Sequence, residues 1–423
     1  MRLLVLGGRL QGTEAVYLAA KAGYETLLVD RSPAPPAAGL ANRHVAADIM
    51  ADERSSRSLA RTCDAILPAC EDEATLEWLT ERAPEWGVPL LFDMAAWRVT
   101  RSKRASRRLF ESLGVPRPEL WPACGFPVVV KPDGASGSYG VSIAVDQTAL
   151  TAASAALAAA GHEVVVEEYL SGPSLSLEVL GWHGRGLPLQ VTGLELDSVH
   201  DCKRVVAPVG EAAAGGPAAA GLGRPSSRAG SAGSWDWEQA VGPGVLARFA
   251  AMSVRLAEGL GLNGIMDVEV VVRDGLEPQV LEIDARLPSQ TPTAVYWSSG
   301  LNLVELLVET ARRGAPPAVS ASARRACVYQ HVAARDGRLE VVGEHALAQA
   351  GPLHLLPGFF GADEALTDRA PGAGTWVATL ITTGGDVAAA RARGAHAIQG
   401  LAHADGLELL PESDPGAPTA VST

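Results

Sequence analysis

Hydrophobic and acidic positions alternate between residues 265 and 292, and this pattern predicts a two-stranded β-hairpin. Apolar, largely β-branched residues alternate with acids on both sides of an Asp-Gly pair, which is the usual signal for two strands joined by a tight turn. We place that turn at residues 273–278. The apolar residues between the acids also indicate that the other face of the sheet is covered by the rest of the protein.

The predicted hairpin carries two acids on each strand, all on one face of the sheet: Asp267, Glu269, Glu282 and Asp284. Side chains two positions apart on a strand share a face, and pairing of Val272 with Gln279 sets each acid of one strand against an acid of the other. Like charges directly opposite one another destabilise a sheet, so we expect a cation beside them. Oxygen ligands without nearby His or Cys suit Mg²⁺. The alternative is a solvated acidic face partnered by Arg273 and Arg286.

Shorter patterns predict an α/β fold around this hairpin. Apolar runs predict strands, and helical periodicity predicts the helices between them. The predicted strands are at residues 2–6, 26–29, 65–67, 89–92, 127–131, 164–170 and 175–180, and the predicted helices are at residues 13–22, 101–108, 245–259 and 302–313. Between residues 326 and 409 we expect short strands that alternate with turns.

The first two predicted strands flank a glycine loop at residues 7–12, GGRLQG, and the second strand leads into Asp30. A strand, a glycine loop, a helix and an acid about 20 residues later are typical of a dinucleotide-binding Rossmann domain. The GGxxxG spacing differs from the usual GxGxxG, and no later residues supply hydride chemistry. A nicotinamide-dependent dehydrogenase is therefore an alternative that the rest of the chain does not support.

Several side chains fall at or near the carboxyl ends of these strands, where open α/β sheets bind ligands. They are residues 9–11, Asp30, Asp48, Glu71 and Asp72. Taken singly, each of them is better explained as a polar loop residue or a helix cap.

A second candidate site follows the strand at residues 127–131, which ends in Lys131. The loop after it contains three glycines and two serines between residues 132 and 140. Backbone N–H groups of a glycine loop can wrap phosphate oxygens, and a lysine at a strand end can neutralise them. A plain hairpin is the alternative, but it does not explain why Lys131 ends an otherwise apolar strand. The basic run at residues 101–108 has a solvated helix face as its default interpretation.

Composition excludes several classes of protein. The 423 residues include 47% hydrophobic and 20% charged positions, which are ordinary values for a globular protein of two or three domains. No apolar run approaches the length of a membrane span, and the net charge of -13 disfavours nucleic acid as a partner. The five cysteines are scattered and form no CxxC pair, which suggests free thiols in a reducing cytoplasm and no zinc site.

The order of these motifs resembles the ATP-grasp superfamily of carboxylate–amine ligases: a basic helix, a strand lysine with a glycine-serine loop, an EEY segment and a two-strand carboxylate hairpin. Four segments resemble, more particularly, the pyrrolysine-biosynthesis ligases that join 3-methylornithine to L-lysine. They are GGRLQGTEAVYLAAKAG, DCK, IMDVE and LEIDARLPSQTPTAVYWSSGLNLVELL. The resemblance covers nearly the whole chain apart from residues 211–235 and the C-terminal tail.

The resemblance implies an ATP-grasp fold with a Rossmann-like N-terminal domain and a small β-rich C-terminal domain. The implied boundaries are residues 1–98 for the N-terminal domain, 99–318 for the ATP-grasp domain, 319–410 for the closing domain and 411–423 for a flexible tail. Residues 211–235 are nearly all Ala, Gly, Pro, Ser and Arg, so we expect a flexible insertion there.

The resemblance also implies ATP and Mg²⁺ as cofactors and assigns residues to each. For the nucleotide it implies Lys103 and Lys131 at the phosphates, Ser136, Gly137 and Ser138 in a lid loop, Glu167, Glu168, Tyr169 and Leu170 in an adenine hinge, and Leu10, Gln11, Asp30, Asp48, Ile49 and Asp72 in the N-terminal domain. The implied metal ligands are Glu269, Glu282 and Asp284. The implied catalytic residues are Arg286, as a clamp on the transferred phosphoryl group, and Lys131. The implied substrate residues are Arg9, Glu71, Asp201, Asp267 and Ser289.

The implied reaction is ATP-dependent amide formation between the carboxylate of 3-methylornithine and the ε-amine of L-lysine, through an acyl phosphate. The implied partners are these small molecules, with neither nucleic acid nor a membrane, and a homodimer is one assembly that the resemblance allows. Two alternatives stay open. One is a related ATP-grasp ligase for other amino acids, and the other is a non-catalytic nucleotide-binding sensor.

Overall fold

The computed structural model describes residues 1–134, 137, 139–210, 241–273, 277–319 and 325–412. Within these ranges the strands form three sheets, of four, eleven and three strands. Some predictions fall outside the described residues: the insertion at 211–235, Ser136 and Ser138 of the lid loop, and the tail from residue 413 onward.

The first sheet is parallel and lies in the N-terminal region. Its strands are β1 (Arg2–Leu6), β2 (Glu25–Asp30), β3 (Arg43–Ala46) and β4 (Ala65–Pro68), in the order β3-β2-β1-β4. The accompanying helices are α1 (Leu10–Lys21), α2 (Glu53–Ala60), α3 (Glu73–Trp86) and α4 (Met94–Thr100). Leu3 and Val5 pack in the same cluster as Val16 of α1, whereas Leu4 packs with Leu79 of α3. Because both faces of β1 are covered, its sequence is a continuous apolar run.

The strand predicted at residues 89–92 does not form. The chain makes only a single bridge there, between Ile66 and Leu90. Pro89 has no N–H with which to extend a ladder. Asp93 then caps α4 by accepting hydrogen bonds from Ala95 and Ala96, so a helix begins directly after the residues where a strand was expected.

The glycine loop between β1 and α1 requires its glycines for close backbone approach. Gly7 has a φ of +98°, and a Cβ there would lie 2.4 Å from the carbonyl oxygen of Ala69, just after β4. A Cβ on Gly12 would lie 2.0 Å from the carbonyl oxygen of Gly7. Asp30, at the end of β2, accepts a hydrogen bond of 2.7 Å from the backbone N–H of Gly8. The loop is therefore fixed against two neighbouring strands.

A small antiparallel sheet follows α5 (Lys103–Leu113). It contains β5 (Val128–Pro132), β6 (Ser142–Ala144) and β7 (Val164–Glu168) in the order β6-β5-β7, with α6 (Gln147–Ala159) packed on one side. Alternate residues of β5, Val128 and Val130, form its core with Leu150 and Leu157 of the helix. The predicted strand that ends near Lys131 is therefore confirmed.

The large sheet contains the remaining eleven strands of the described residues. Its strands are β8 (Ser174–Trp182), β9 (Arg185–Leu196), β10 (Cys202–Ala207), β11 (Gly264–Arg273), β12 (Glu277–Asp284), β13 (Ala326–Arg335), β14 (Arg338–Val342), β15 (His354–Pro357), β16 (Glu364–Thr367), β17 (Trp376–Gly384) and β18 (Glu408–Leu409). The helices are α7 (Pro243–Leu260), α8 (Thr291–Ser299), α9 (Leu303–Arg313) and α10 (Val387–Asp405), and 3₁₀ turns occur at Pro36–Gly39, Glu344–Gln349 and Phe359–Gly361. The main path of the sheet is β12-β11-β8-β9-β10-β13-β17-β16-β15. Pairing of β10 with β13 carries the sheet across the expected boundary at residue 318, and the domain boundaries stay predictions.

The C-terminal region differs in one respect from the expected succession of short strands and turns. Helix α10 is 19 residues long and packs against β17 through Ala397, Ile398 and Leu401. Its many alanines make a small, even surface with little amphipathic contrast, so the sequence pattern did not mark it as a helix. All five cysteines of the chain are free. None of the helices described above combines the length and apolar character that a membrane span needs.

The register of the β11–β12 hairpin places the acids as predicted, although the residue pairs next to the turn differ from the prediction. Asp267 pairs with Asp284 and Glu269 with Glu282, whereas Val272 pairs with Pro278 and not with Gln279. The register shifts by one residue between the acids and the turn, and this β-bulge leaves Leu281 without a partner. An extra residue in one strand does not disturb the alternation of side chains near the acids, so the pattern could not reveal it.

A buried acid joins the N-terminal region to the residues after the hairpin. Glu14 of α1 accepts a hydrogen bond of 2.5 Å from the backbone N–H of Thr293, in the first turn of α8. Gln290 is the N-cap residue of that helix, but its side chain makes no capping hydrogen bond. Glu14 therefore caps the helix from another element. Burial raises the pKa of Glu14 to about 8.

We expect Glu14→Gln to change how stability depends on pH. A carboxyl whose pKa is raised on folding stabilises the protein fully below its unfolded pKa and loses that contribution as pH rises through the folded pKa. Glutamine keeps the acceptor for Thr293 and does not ionise. Relative to wild type, the variant should therefore gain roughly 2–4 kcal/mol in unfolding free energy between pH 5 and pH 8.

Urea unfolding of both proteins at the two pH values measures this difference. Glu25→Gln is the control, because Glu25 is exposed on the surface beside Arg2. Parallel pH profiles for Glu14→Gln and wild type would contradict a protonated, buried Glu14.

Candidate active site

The acidic face of the β11–β12 hairpin forms part of the wall of a cavity of about 120 Å³. Its described lining residues include six carboxylates: Asp201, Asp267, Glu269, Glu282, Asp284 and Glu344. Arg286 is the one lysine or arginine among the described lining residues. Ser289 also lines the cavity, as does Gly137 of the predicted lid loop. The predicted metal ligands, the predicted clamp arginine and three predicted substrate residues therefore share one cavity.

Burial and mutual repulsion alter the proton affinities of the hairpin acids. Burial, with the neighbouring charges of Glu282 and Asp284, raises the pKa of Glu269 to about 8. Burial also raises the pKa values of Asp267 and Asp284 well above their usual range, although Arg286 opposes the shift at both. These side chains resist holding several negative charges together unless a cation joins them.

Arg286 connects this cavity to the N-terminal region. Its Nη2 donates a hydrogen bond of 3.0 Å to Oδ2 of Asp284. Its Nε lies 2.8 Å from Oε1 of Glu71, which also accepts a hydrogen bond of 2.7 Å from Gln11. Burial opposes the charge on Arg286, but Asp284, Glu71 and Asp267 more than offset that penalty, so its pKa is raised. The guanidinium is held between two regions of the chain and stays charged.

Two lysines lie beside the cavity, the buried Lys131 and the partly buried Lys103. Nζ of Lys103, at the start of α5, is 3.1 Å from Oε1 of Glu282, and Lys131 of β5 forms an ion pair with Glu167 of β7. All four side chains line a second cavity of about 310 Å³ between α5, β7 and β12. Glu282 lines both cavities, so the cavity beside the two lysines and the cavity lined by six carboxylates meet at this residue.

The donor chemistry of the hairpin fits Mg²⁺, although no complete cage is preformed. Glu269, Glu282 and Asp284 offer only oxygen ligands, and the buried Oδ1 of Asp267 has no hydrogen-bond partner among the described residues. No three His, Cys, Asp or Glu side chains in the described ranges are arranged to hold an ion by themselves. Mg²⁺ usually binds one or two carboxylates together with waters and substrate phosphates, so a complete protein cage is not required.

The predicted residues of the N-terminal region lie near the carboxyl ends of β1 to β4: Arg9, Leu10, Gln11, Asp30, Asp48, Ile49, Glu71 and Asp72. Of these, Gln11 and Glu71 are linked to the carboxylate cavity through Arg286. Asp72 caps α3, and Arg31 lies 3.3 Å from Asp48 and 3.6 Å from Asp72. The side chain of Ile49 is buried in the hydrophobic core. Part of this group therefore holds local structure.

The predicted adenine hinge follows the second half of β7. Glu167 is paired with Lys131, as described above, while Glu168 lies 2.8 Å from Nη2 of Arg273 on the hairpin. Leu170 is buried and Tyr169 is partly exposed. The hinge is thus anchored to the large sheet by one ion pair and to the small sheet by another.

Two acids near the site, the buried Glu178 and the partly buried Glu344, escaped the sequence analysis. Glu178 of β8 pairs directly with Asp267, is 0% exposed, and has its pKa raised to about 7 by burial. A single acid in an otherwise apolar strand was the signal available for it. Glu344 lines the carboxylate cavity from the C-terminal region. Nothing in its local sequence indicates this position, because only the tertiary fold brings it to the hairpin.

Comparisons with known proteins agree with this arrangement. The family model described as the D-ala D-ala ligase C-terminus matches residues 109–194. The 3-methyl-D-ornithine–L-lysine ligase of Methanosarcina barkeri is 33% identical over 361 residues, which cover 84% of this chain and 87% of that protein. The L-amino acid ligase of Bacillus licheniformis superposes with a TM-score of 0.62 at 14% identity, covering 98% of this chain and 99% of that one.

A biotin carboxylase domain dimer from Hydrogenobacter thermophilus 2-oxoglutarate carboxylase, solved in complex with MgADP, ADP and bicarbonate, superposes with a TM-score of 0.64 at 15% identity. The match covers 91% of this chain and 86% of that one. Together with the carboxylate hairpin and the two lysines, these similarities define an ATP-grasp protein, and specifically an ATP-dependent carboxylate–amine ligase. Within that class, the chain belongs to the 3-methyl-D-ornithine–L-lysine ligase family.

We expect Mg²⁺ to raise the melting temperature of the protein, and to raise it more at pH 8 than at pH 6. A ligand that binds only the folded state stabilises it. The raised pKa of Glu269 means that the cation must displace a proton at lower pH, so metal affinity should increase as pH rises. Glu269→Gln should reduce both the shift and its pH dependence.

Thermal unfolding with and without Mg²⁺ at the two pH values measures this effect. Glu277→Gln, an exposed position on the same hairpin, is the matched control. An equal Mg²⁺ effect in wild type and Glu269→Gln would remove Glu269 from the metal ligands.

Proposed function

We propose that this protein uses ATP to join the carboxylate of 3-methyl-D-ornithine to the ε-amine of L-lysine, as a step of pyrrolysine biosynthesis. The named ligases of three Methanosarcina species, each 33% identical to this chain, support the choice of substrates. The observation that carries the proposal is the charge pattern of the cavity. One arginine lies among six carboxylates, which suits substrates that present one carboxylate and several ammonium groups.

The proposed nucleotide site rests on Lys103 and Lys131 and on their ion pairs. Lys103 and Lys131 would hold phosphate oxygens, with the lid loop over them and the hinge at residues 167–170 beside adenine. The ion pairs with Glu282 and Glu167 hold both ammonium groups at the cavity between α5, β7 and β12, where phosphate oxygens could replace the carboxylates as partners. The N-terminal residues Leu10, Gln11, Asp30, Asp48, Ile49 and Asp72 stay candidates for nucleotide contact.

Bound Mg²⁺ would neutralise phosphate charge and polarise the transferred group. Glu269, Glu282 and Asp284 are the residues that would hold it. Arg286 would offset repulsion between the substrate carboxylate and the γ-phosphate, and its ion pairs with Asp284 and Glu71 support this role. Phosphoryl transfer relies on such positioning and charge stabilisation more than on covalent chemistry by the protein.

The product of that step is an acyl phosphate, which water would hydrolyse. A lid loop that closes over the cleft excludes water until the amine attacks. The ε-ammonium of lysine must lose a proton before attack. Arg9, Glu71, Asp201, Asp267 and Ser289 are the proposed substrate residues, and the buried Asp267 is an appropriate partner for an ammonium group.

Phosphate release from Mg-ATP tests this function directly. Release should require both 3-methyl-D-ornithine and L-lysine, and mass spectrometry should find a product equal to their sum less water. Turnover with a different amino-acid pair would keep the ligase chemistry and discard these substrates. ATP binding without turnover on any pair would favour a nucleotide sensor.

We expect Glu282→Gln to lower ligation by at least about 100-fold while the fold is retained, because one metal ligand and the partner of Lys103 lose their charge. The rate of product formation at saturating substrates and urea unfolding measure the two parts. Glu277→Gln, at the exposed end of the same strand, should leave both unchanged. Wild-type turnover in Glu282→Gln would exclude Glu282 from the metal site.

A further inference from the structure

The C-terminal region contributes one carboxylate to the active-site cavity. Glu344 opens the 3₁₀ turn Glu344–Gln349, which follows β14, and lines the cavity together with the hairpin acids. Glu269 of β11 lines the same cavity, so the two carboxylates border one shared space. A residue remote in sequence thus stands beside the proposed reaction centre.

Glu344 is held by neutral donors. Its Oε2 accepts a hydrogen bond of 2.7 Å from the hydroxyl of Ser289, and the side chain of Gln290 also hydrogen-bonds to it. Among the described residues, no lysine, arginine or histidine forms a salt bridge with Glu344, unlike Glu282 and Asp284. The charges of Arg286 and His345 act on Glu344 without a direct ion pair. A partly buried carboxylate held by oriented neutral donors, with no direct ion pair, favours a cationic group from a ligand.

The turn that carries Glu344 is fixed against Asp201. Oδ2 of Asp201 accepts a hydrogen bond of 3.0 Å from the backbone N–H of His345 and lies 2.8 Å from its Nδ1. Gly343 packs so closely on the same carboxylate that a Cβ would lie 2.0 Å from Oδ2 and 2.4 Å from Cβ of Asp201. Only glycine permits this contact, and it sets the position of the next residue.

The donor Gln290 is itself constrained. Its backbone has a φ of +69°, a conformation that non-glycine residues rarely adopt. Its Oε1 lies 3.1 Å from Nε2 of the buried His331, whose Nδ1 lies 2.9 Å from the hydroxyl of Thr379 on β17. Strained backbone that persists inside a cavity usually serves a binding function.

A second observation at the same cavity is a carboxylate oxygen that lacks a hydrogen-bond donor. Asp267 is 7% exposed, and its Oδ1 has no hydrogen-bond partner in the described parts of the chain. A buried carboxylate oxygen left in this way is costly unless a ligand supplies a donor. Glu344 and Asp267 therefore both present acceptor capacity to one cavity.

We propose that Glu344 binds a primary ammonium group of an amino-acid substrate that does not itself react, and that Gly343 and Asp201 position it. The inference rests on the proposed ligase function and adds a residue that determines substrate specificity. A fixed carboxylate stabilises the protonated form of an amine, which opposes nucleophilic attack. Its suitable partner is therefore an α-ammonium of either substrate or the δ-ammonium of methylornithine, and not the attacking ε-amine.

Steady-state kinetics of Glu344→Gln test the proposal. Glutamine keeps an acceptor for Ser289 and removes the charge, so the KM of one amino acid should rise roughly 10–100-fold. The KM of ATP should stay within about threefold of wild type, since the nucleotide does not contact this position in the proposal. Glu408→Gln, an exposed acid in the same region, is the control. Unchanged KM values, or equal increases for ATP and both amino acids, would overturn the role.

Analogues that each lack one non-reacting ammonium group identify the bound group. They are 6-aminohexanoate in place of lysine, and methylornithine analogues without the α-amine or the δ-amine. Wild type should discriminate against the relevant analogue, and Glu344→Gln should reduce that discrimination at least about tenfold. Equal discrimination by both proteins against every analogue would exclude ammonium binding by Glu344.

Gly343→Ala provides a separate test of the positioning. It should raise the same KM as Glu344→Gln while circular dichroism and the Mg²⁺-dependent melting shift stay at wild-type values. A loss of all activities together would mean a general folding defect and would contradict a positioning role. The two levels of proposal fail separately: wild type without the ligated product overturns the function, whereas normal ligation with unaltered kinetics in Glu344→Gln overturns only the role of Glu344.

Discussion

Repulsion among buried carboxylates is the constraint on which the rest of this structure depends. The hairpin pairs Asp267 with Asp284 and Glu269 with Glu282 on adjacent strands, where like charges oppose sheet formation. Lys103 and Arg286 offset part of this cost: Lys103 reaches the hairpin from the start of α5, and Arg286 lies just after β12. The acidic hairpin is therefore stabilised by cationic side chains of the protein, and in the proposed function the substrates would engage the same cations.

The cations tie three regions of the chain to one cavity. Lys103 begins the helix before the small sheet, and Arg286 reaches Glu71 at the end of the N-terminal sheet. Glu14 of α1 also joins the N-terminal region to the residues after the hairpin, because it caps α8. Because each contact crosses between regions, changes in charge at the cavity can alter how the regions pack as well as how ligands bind.

Much of the fold and part of the site could be predicted from the sequence. Local alternation was enough to pair the hairpin acids and to place Lys131 in β5, since side-chain direction in a strand follows a period of two. The bulge at Leu281, the missing strand at residues 89–92 and helix α10 could not be predicted in this way. Each depends on packing or on an absent N–H, which hydrophobic periodicity does not record.

The sequence by itself determined the kind of chemistry, because residue types and their order carry the resemblance to ATP-grasp ligases and the oxygen-only ligand set. Tertiary structure alone decided which charges meet. It brought Glu344 from the C-terminal region to Ser289, set Glu178 beside Asp267, and directed Asp201 toward Gly343 and His345. Such contacts join positions far apart in the chain, and no local pattern encodes the distance between them.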